Sequence, residues 1–204
     1  MISVGITAVL GARTDLLQQV VADLADFGTP YISFDNGCRG PYGNFQDCLE
    51  WLVANRPADG YLIAQDDVRI AANLRTFLES ADVLNERTGV LSPYCAGPHH
   101  RNDAGWFKLD PPEGKRAYGA CALLLPHHAA VRFLHSPPNK SCRTRTCYWL
   151  AEFCKREKLD FWIHSPSLVQ HVGTHSLVNS IWDTAEACRQ YREAKAWCED
   201  AAAI

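Results

Sequence analysis

The first 88 residues alternate short apolar runs with amphipathic stretches, and this alternation narrows the fold more than any other feature of the chain. Residues 2–10 (ISVGITAVL) form a β-rich run. After Gly11 and Arg13, Thr14 and Asp15 open a helix whose Leu16, Leu17, Val20, Val21 and Leu24 share one side. Gly28 stops that helix, and residues 30–35 (PYISFD) are a second strand. Gly37, Gly40, Pro41 and Gly43 predict a turn-rich loop, with Asn44 placed to cap a helix carrying Phe45, Cys48, Leu49, Leu52 and Val53. A turn at Ala58-Asp59-Gly60 leads into YLIAQDD, residues 61–67. The order β-α-β-α-β predicts an α/β sheet with helices on both faces. In such sheets ligands sit at the carboxyl ends of the strands.

The third strand ends in a way that asks for an explanation. Tyr61, Leu62, Ile63 and Ala64 are a core-directed run, yet Asp66 and Asp67 come directly after Gln65. Two like charges at the end of a buried strand are unfavourable unless a cation joins them. A hard divalent metal meets that need and can also bridge a diphosphate. The plainer alternative is that one Asp caps the next helix and the other is solvated. The helical spacing of Leu74, Phe77, Leu78, Ala81 and Leu84 predicts that the pair lies at a strand-to-helix junction.

The second half is less regular. Residues 89–93 (GVLSP), 117–125 (AYGACALLL) and 161–164 (FWIH) read as strands, and helices are expected from Pro126 to Leu134 and over 148–158. Residues 99–114, with Trp106 and Phe107, read as a loop, as do 135–147; 166–176 are turn-rich, and 184–203 read as a helix. No linker divides the chain. It reads as one domain over 1–204, with a first half at 1–88, a second half at 89–183 and a C-terminal helix at 184–204.

Composition excludes more than it selects. Hydrophobic residues are 47%, charged residues 21% and the formal net charge is −3, so no global imbalance demands a polyanionic or polycationic partner. No run is long enough for a membrane helix, and MISVGITAVL, with no basic residue before Arg13, reads as a strand and not a leader. Nine cysteines, an odd number without a CxxC, suit reduced thiols buried as small hydrophobes and therefore a cytoplasmic protein of a bacterial or virus-infected cell. Cys142, Cys147 and Cys154, with His135 nearby, are the alternative as a zinc site, although their spacing matches no common pattern.

Three motifs occur in order: Gln65-Asp66-Asp67, Tyr118-Gly119-Ala120 and 166–173 (PSLVQHVG). Together with Gly43-Asn44-Phe45 and Leu49-Glu50-Trp51-Leu52, they resemble the compact GT-A-fold glycosyltransferases that use nucleotide-diphospho-sugars, of phage and bacterial type, over residues 2–180 or so. The resemblance implies a GT-A-type, Rossmann-like mixed sheet, a UDP-sugar donor and a Mn or Mg cofactor. It makes Asp67 and His171 metal ligands, with Asp66 on the ribose or sharing the metal. It puts Thr7, Val9, Arg13 and Asp35 around the nucleoside and His175 and Ser176 near the diphosphate. Each has a plain alternative: Thr7 as a strand residue, Arg13 as a loop charge, Asp35 as a turn former with Asn36 and Gly37, and His171 as a hydrogen-bonded core histidine. Sugar transfer develops charge on the leaving phosphate, which a divalent cation neutralises, and an inverting reaction needs a base for the acceptor hydroxyl. Glu152 is the nearest carboxylate for that role, with Asp103 and Asp110 as loop alternatives; stereochemistry stays open.

Residues 132–158 hold seven basic and two acidic side chains, a local charge of +5 against −8 for the rest. Arg143 and Arg145 stand there beside Tyr148, Trp149 and Phe153, with Trp106 as a further exposed-loop aromatic. This pattern predicts an anionic acceptor, with a 5-hydroxymethylated pyrimidine in DNA as the specific expectation. The alternatives are a basic surface over core aromatics, a saccharide or protein acceptor, and a nucleotidyltransferase, for which LGAR at 10–13 is a poor glycine-rich signature.

Overall fold

A computed structural model gives the structure, and it describes residues 1–110, 112, 117–135, 146–173 and 194–204. Its elements are β1 (Ile2–Val9), α1 (Thr14–Asp23), β2 (Tyr31–Asp35), α2 (Gly40–Asn55), β3 (Gly60–Gln65), β4 (Val68–Ile70), α3 (Leu74–Glu79), β5 (Thr88–Ser92), β6 (Gly105–Lys108), β7 (Ala122–Pro126), α4 (His127–Leu134), α5 (Thr146–Glu157), β8 (Asp160–Ser165) and β9 (Val169–His171).

Seven strands form one mixed sheet in the order β2-β1-β3-β7-β5-β8-β6. β1 runs parallel to β2 and β3, and β5 runs parallel to β8. β7 lies antiparallel between β3 and β5, and β6 closes the edge antiparallel to β8. The central strands are apolar on both sides, as expected for strands covered on both faces. One core packs α2, α4 and α5 through Leu49, Phe133 and Leu150 onto Ile63 and Leu123. The other packs α1 and α3 through Val20, Leu24 and Leu78 onto Ile6, Leu62 and Leu124, and it includes Leu168, Val169 and Ala201. Gly5 is fixed by the first core, because a Cβ there would lie 2.4 Å from the Cys48 sulfur. The expected α/β architecture with helices on both faces is therefore the one formed.

Several expected boundaries move, each for a tertiary reason. The second helix starts at Gly40 and not Asn44, because Asp35 accepts hydrogen bonds from the amides of Gly37, Arg39 and Gly40 and organises the first turn. Asn44 is then buried inside the helix, where its amide donates to the carbonyls of Ala8 and Ser33. The loop expected at 99–114 contains β6, four residues long, which pairs with β8 from Gly105↔Ser165 to Lys108↔Trp162. The strand expected over 117–125 is regular only from Ala122. Of the helix expected over 184–203, residues 194–204 are described, and they form no α-helix. Trp197 bridges Ser167, Asp200 bridges Ala72, and a single 3-10 turn covers Ala201–Ala203.

Candidate functional site

The largest correction concerns the setting of the acidic pair. Asp66 and Asp67 do not sit between a strand and a helix. They form the turn between β3 and the three-residue strand β4, and β4 pairs antiparallel with β9 in a separate ribbon, Val68 opposite His171 and Ile70 opposite Val169. Three residues carry too little periodicity to stand out as a strand. The pairing has a direct consequence: a histidine 104 positions away arrives beside the acidic turn. His171 Nε2 lies 3.1 Å from Asp67 Oδ2, and the Val172 amide donates to the Asp67 carbonyl at 2.9 Å.

The three side chains are buried, with relative exposures of 4% for Asp66, 3% for Asp67 and 5% for His171. Asp66 is anchored to β1 from both ends. Its amide donates to the Thr7 carbonyl at 3.1 Å, and its Oδ2 accepts from the Val9 amide at 3.1 Å. Burial first, and the neighbouring Asp67 charge second, push the Asp66 carboxyl above its ordinary value, against the pull of the Val9 amide and Arg13. The site thus holds negative charge at a cost, and it draws a cation. Arg13, with its backbone in the left-handed region (φ 54°) at the head of α1, supplies one. Its Nη1 lies 3.2 Å from Asp66 Oδ1 and also donates to Asp67 Oδ2.

Two further residues complete the arrangement and carry no role in the sequence-based expectation. Gly173 packs flat on the acidic turn: a Cβ there would stand 2.5 Å from Asp67 Oδ2 and 3.0 Å from its Cγ. Asp23 ends α1, and its Oδ2 accepts from the Ile70 amide at 3.0 Å and from Arg69 Nε at 2.9 Å, which fastens β4 to the helix. A carboxylate in the last turn of a helix opposes the helix dipole. That misfit is the one sequence signal that Asp23 has a partner elsewhere.

The other expected site residues divide. Thr7 and Val9 line the end of β1, with the Thr7 hydroxyl donating to the Ala64 carbonyl at 3.3 Å. The Asp35 carboxylate ends β2, where the three amides of its own loop engage it, as a turn former's would be. Trp106 is half-buried on β6, its ring 5.0 Å from His164 and 6.1 Å from Phe77. Trp149 does not line a surface. It is 9% exposed and packs on Tyr42 at 5.9 Å, so its apolar area is spent on the core, as is that of Phe153. Glu152 is half-buried on α5, a helix that packs on α2, β5 and β8. His175, Ser176, Arg143, Arg145 and Cys142 lie outside the described residues. Cys154 is buried against β5 and β8, with its thiol pushed up by burial, and the His135 ring is bonded to the Val131 carbonyl of its own helix.

Asp66, Asp67 and His171 offer carboxylate oxygens and an imidazole nitrogen, a donor set that suits a hard divalent cation such as Mn or Mg. Among the described residues no three His, Cys, Asp or Glu side chains converge into a ready-made metal site. The space between the two aspartates is taken by the Arg13 guanidinium, itself a cation, so the chemistry fits even though the geometry is closed around Arg13.

No family model matches the chain, and no curated protein matches it in sequence. Solved structures do match in shape. A197 from STIV superposes with a TM-score of 0.55 at 12% identity, over 84% of this chain and 85% of that one. The catalytic domain of Drosophila beta1,4galactosyltransferase 7, in complex with xylobiose, superposes with a TM-score of 0.50 at 11% identity, over 100% of this chain and 79% of that one. The fold is GT-A-type. It is a single domain, and at these identities the likeness speaks for the fold alone. The GT-A-type sheet puts Val9, Asp35 and Asp66 at the carboxyl ends of β1, β2 and β3, the edge where ligands bind in open α/β sheets. A surface cavity lined by Met1, Asp59, Gly60, Arg75, Glu79 and Pro126 lies at the opposite end of β1 and β3, away from these residues. Among the described residues no helix is long and apolar enough to cross a membrane.

Proposed function

We propose that this chain is a metal-dependent glycosyltransferase that moves a hexosyl or N-acetylhexosaminyl group from a UDP-sugar to a hydroxyl. The observation that carries the proposal is the buried acidic turn of Asp66 and Asp67 at the strand ends, with His171 Nε2 3.1 Å from Asp67 Oδ2. A bound Mn or Mg supplies Lewis-acid neutralisation of the diphosphate as it leaves. Asp67 and His171 would hold that ion, and Asp66 would share it or meet the ribose. Thr7, Val9, Arg13 and Asp35 border the nucleoside, and His175 and Ser176 the phosphates. Glu152 is the carboxylate we assign to take the proton of the acceptor hydroxyl.

The test is release of UDP from a panel of UDP-sugars with Mn, with and without acceptors, in the wild type and in Asp67→Asn. Sugar-independent, acceptor-independent inactivity of the wild type ends the proposal. Turnover of nucleoside triphosphates with sugar phosphates in its place makes the chain a nucleotidyltransferase.

For the acceptor we infer an anionic polymer, with a 5-hydroxymethylated pyrimidine in DNA, as in a phage-infected cytoplasm, as the specific case. The support is the basic surplus at 132–158, of which Lys155, Arg156 and Lys158 are exposed. Tyr148, half-buried on α5, is the described aromatic within that stretch, whereas Trp106 packs with the α1/α3 core; Arg143 and Arg145 are assigned as the phosphate contacts. Incubation of hydroxymethylated DNA with UDP-sugars, followed by nucleoside mass analysis, decides it. Modification of a saccharide or protein with none of the DNA rejects the DNA acceptor and leaves the transferase reading in place. Salt dependence that is unchanged in Arg143→Ala/Arg145→Ala removes those two residues from the interface.

A further inference from the structure

We propose that Arg13 is a built-in counter-cation of the acidic turn, and that a divalent metal and the Arg13 guanidinium occupy Asp66 and Asp67 in mutually exclusive fashion. The inference rests on the proposed metal site and adds a competitor that belongs to the chain itself.

Four features support it. Nη1 of Arg13 reaches both carboxylates at once, Asp66 Oδ1 at 3.2 Å and Asp67 Oδ2 in a closer contact. It thereby engages the same Asp67 oxygen that lies 3.1 Å from His171 Nε2. A metal bound between His171 and the Asp67 oxygen that faces it would share that oxygen with Arg13, and two cations at one carboxylate oxygen repel each other strongly where the carboxylates are 3–4% exposed. The surroundings leave the guanidinium a way out. Its side chain is 17% exposed, against 5% and 4% for the aspartate side chains, and it extends from a loop whose Gly11 also has positive φ (73°). Lastly, Arg13 is a non-glycine residue held at φ 54°, a backbone conformation that costs energy and is kept where surrounding contacts over-determine it. The ion pairs with Asp66 and Asp67 are such contacts.

The arrangement offsets part of the negative charge of the two buried carboxylates before any metal arrives. Metal uptake then exchanges one cation for another and does not fill an open charged cavity. The released guanidinium would stand at the end of β1, beside the place where an anionic donor lies.

The experiment measures Mn affinity of the full chain without donor, by calorimetry or by the spin-resonance signal of free Mn, in wild type, Arg13→Gln, Arg13→Asn and Asp67→Asn. Arg13→Asn is included because asparagine tolerates the left-handed backbone and so protects against a folding failure of the first variant. The expected result is that both Arg13 variants bind Mn about tenfold or more tightly than wild type, one charge–charge contact having been removed, and that Asp67→Asn binds none. Wild-type binding that is lost in Asp67→Asn but unchanged or weakened in both folded Arg13 variants overturns the competition and leaves the metal site standing. Absence of Asp67-dependent Mn binding from wild type and both Arg13 variants overturns the metal site and the competition together.

Discussion

Two regions of this molecule handle charge in opposite ways. At the ends of β1, β3 and β9, charged side chains are buried, and each is held by a residue far away in sequence: Asp66 by Val9 and Arg13, Asp67 by Arg13 and His171. On α4 and α5 the charges face outward and pair at the surface, within α5 and between the two helices. Glu157 accepts from both Arg132 and Arg156, and those two contacts hold its carboxyl below the ordinary value. The aromatics between these charges, Trp149 and Phe153, turn into the core. Buried charge paired at long range marks a candidate site, whereas exposed pairs are worth little. The contrast teaches that a basic, aromatic-rich stretch of sequence is weaker evidence of a site than two adjacent aspartates, even though the stretch is longer.

Substitutions in the two regions test the contrast. The largest effect is expected at Asp67. Asp67→Asn should lower transfer by about a thousandfold, in line with loss of a principal electrostatic group in a catalytic site, while the thermal unfolding transition survives. Near-wild-type turnover at saturating donor would move the chemistry elsewhere. Gly173→Ala comes next. Its methyl would enter the Asp67 carboxylate, so Mn affinity should fall by about 10–100-fold and the fold should lose about 1–3 kcal/mol from overpacking, both read on the same sample by titration and urea unfolding. Unchanged affinity would mean that the acidic turn can shift without harm.

A smaller effect lies across the sheet at His164. The ring is buried against Trp106 and Phe77, and its Nδ1 donates to the Pro166 carbonyl at 2.8 Å. Burial depresses its pKa, although the Pro166 contact opposes this. A histidine more easily protonated in the unfolded chain contributes stability above its unfolded pKa of about 6.5, and that contribution is lost as pH falls through 6.5 toward the folded value. The urea midpoint should therefore drop between pH 7.5 and 5.5 more steeply in wild type than in His164→Gln; parallel slopes would contradict it. The smallest change is expected for Glu157→Gln on the exposed side of α5. With the Arg132 and Glu157 side chains 45% and 27% exposed, solvent screening holds the loss to about 0.5 kcal/mol. A loss of several kcal/mol would show that the outward charges are as structural as the buried ones.

The sequence by itself determined the alternating strands and helices of the first half, because helices and strands with one or two buried faces write their periodicity into consecutive residues. It also determined that Asp66 and Asp67 end a core strand, since an apolar run closed by two acids has few other readings. It missed β4, β6 and β9, which are three or four residues long and are strands only because a partner lies beside them. Tertiary structure alone decided that Asp35 organises its own loop, that Trp149 belongs to the core and that Trp197 and Asp200 bridge to Ser167 and Ala72. It alone brought Gly173 and Arg13 to the carboxylate that the family resemblance had already paired with His171. Local sequence encodes which face of an element is buried, but a contact across 104 residues depends on the register of a ribbon, and no single segment carries that register.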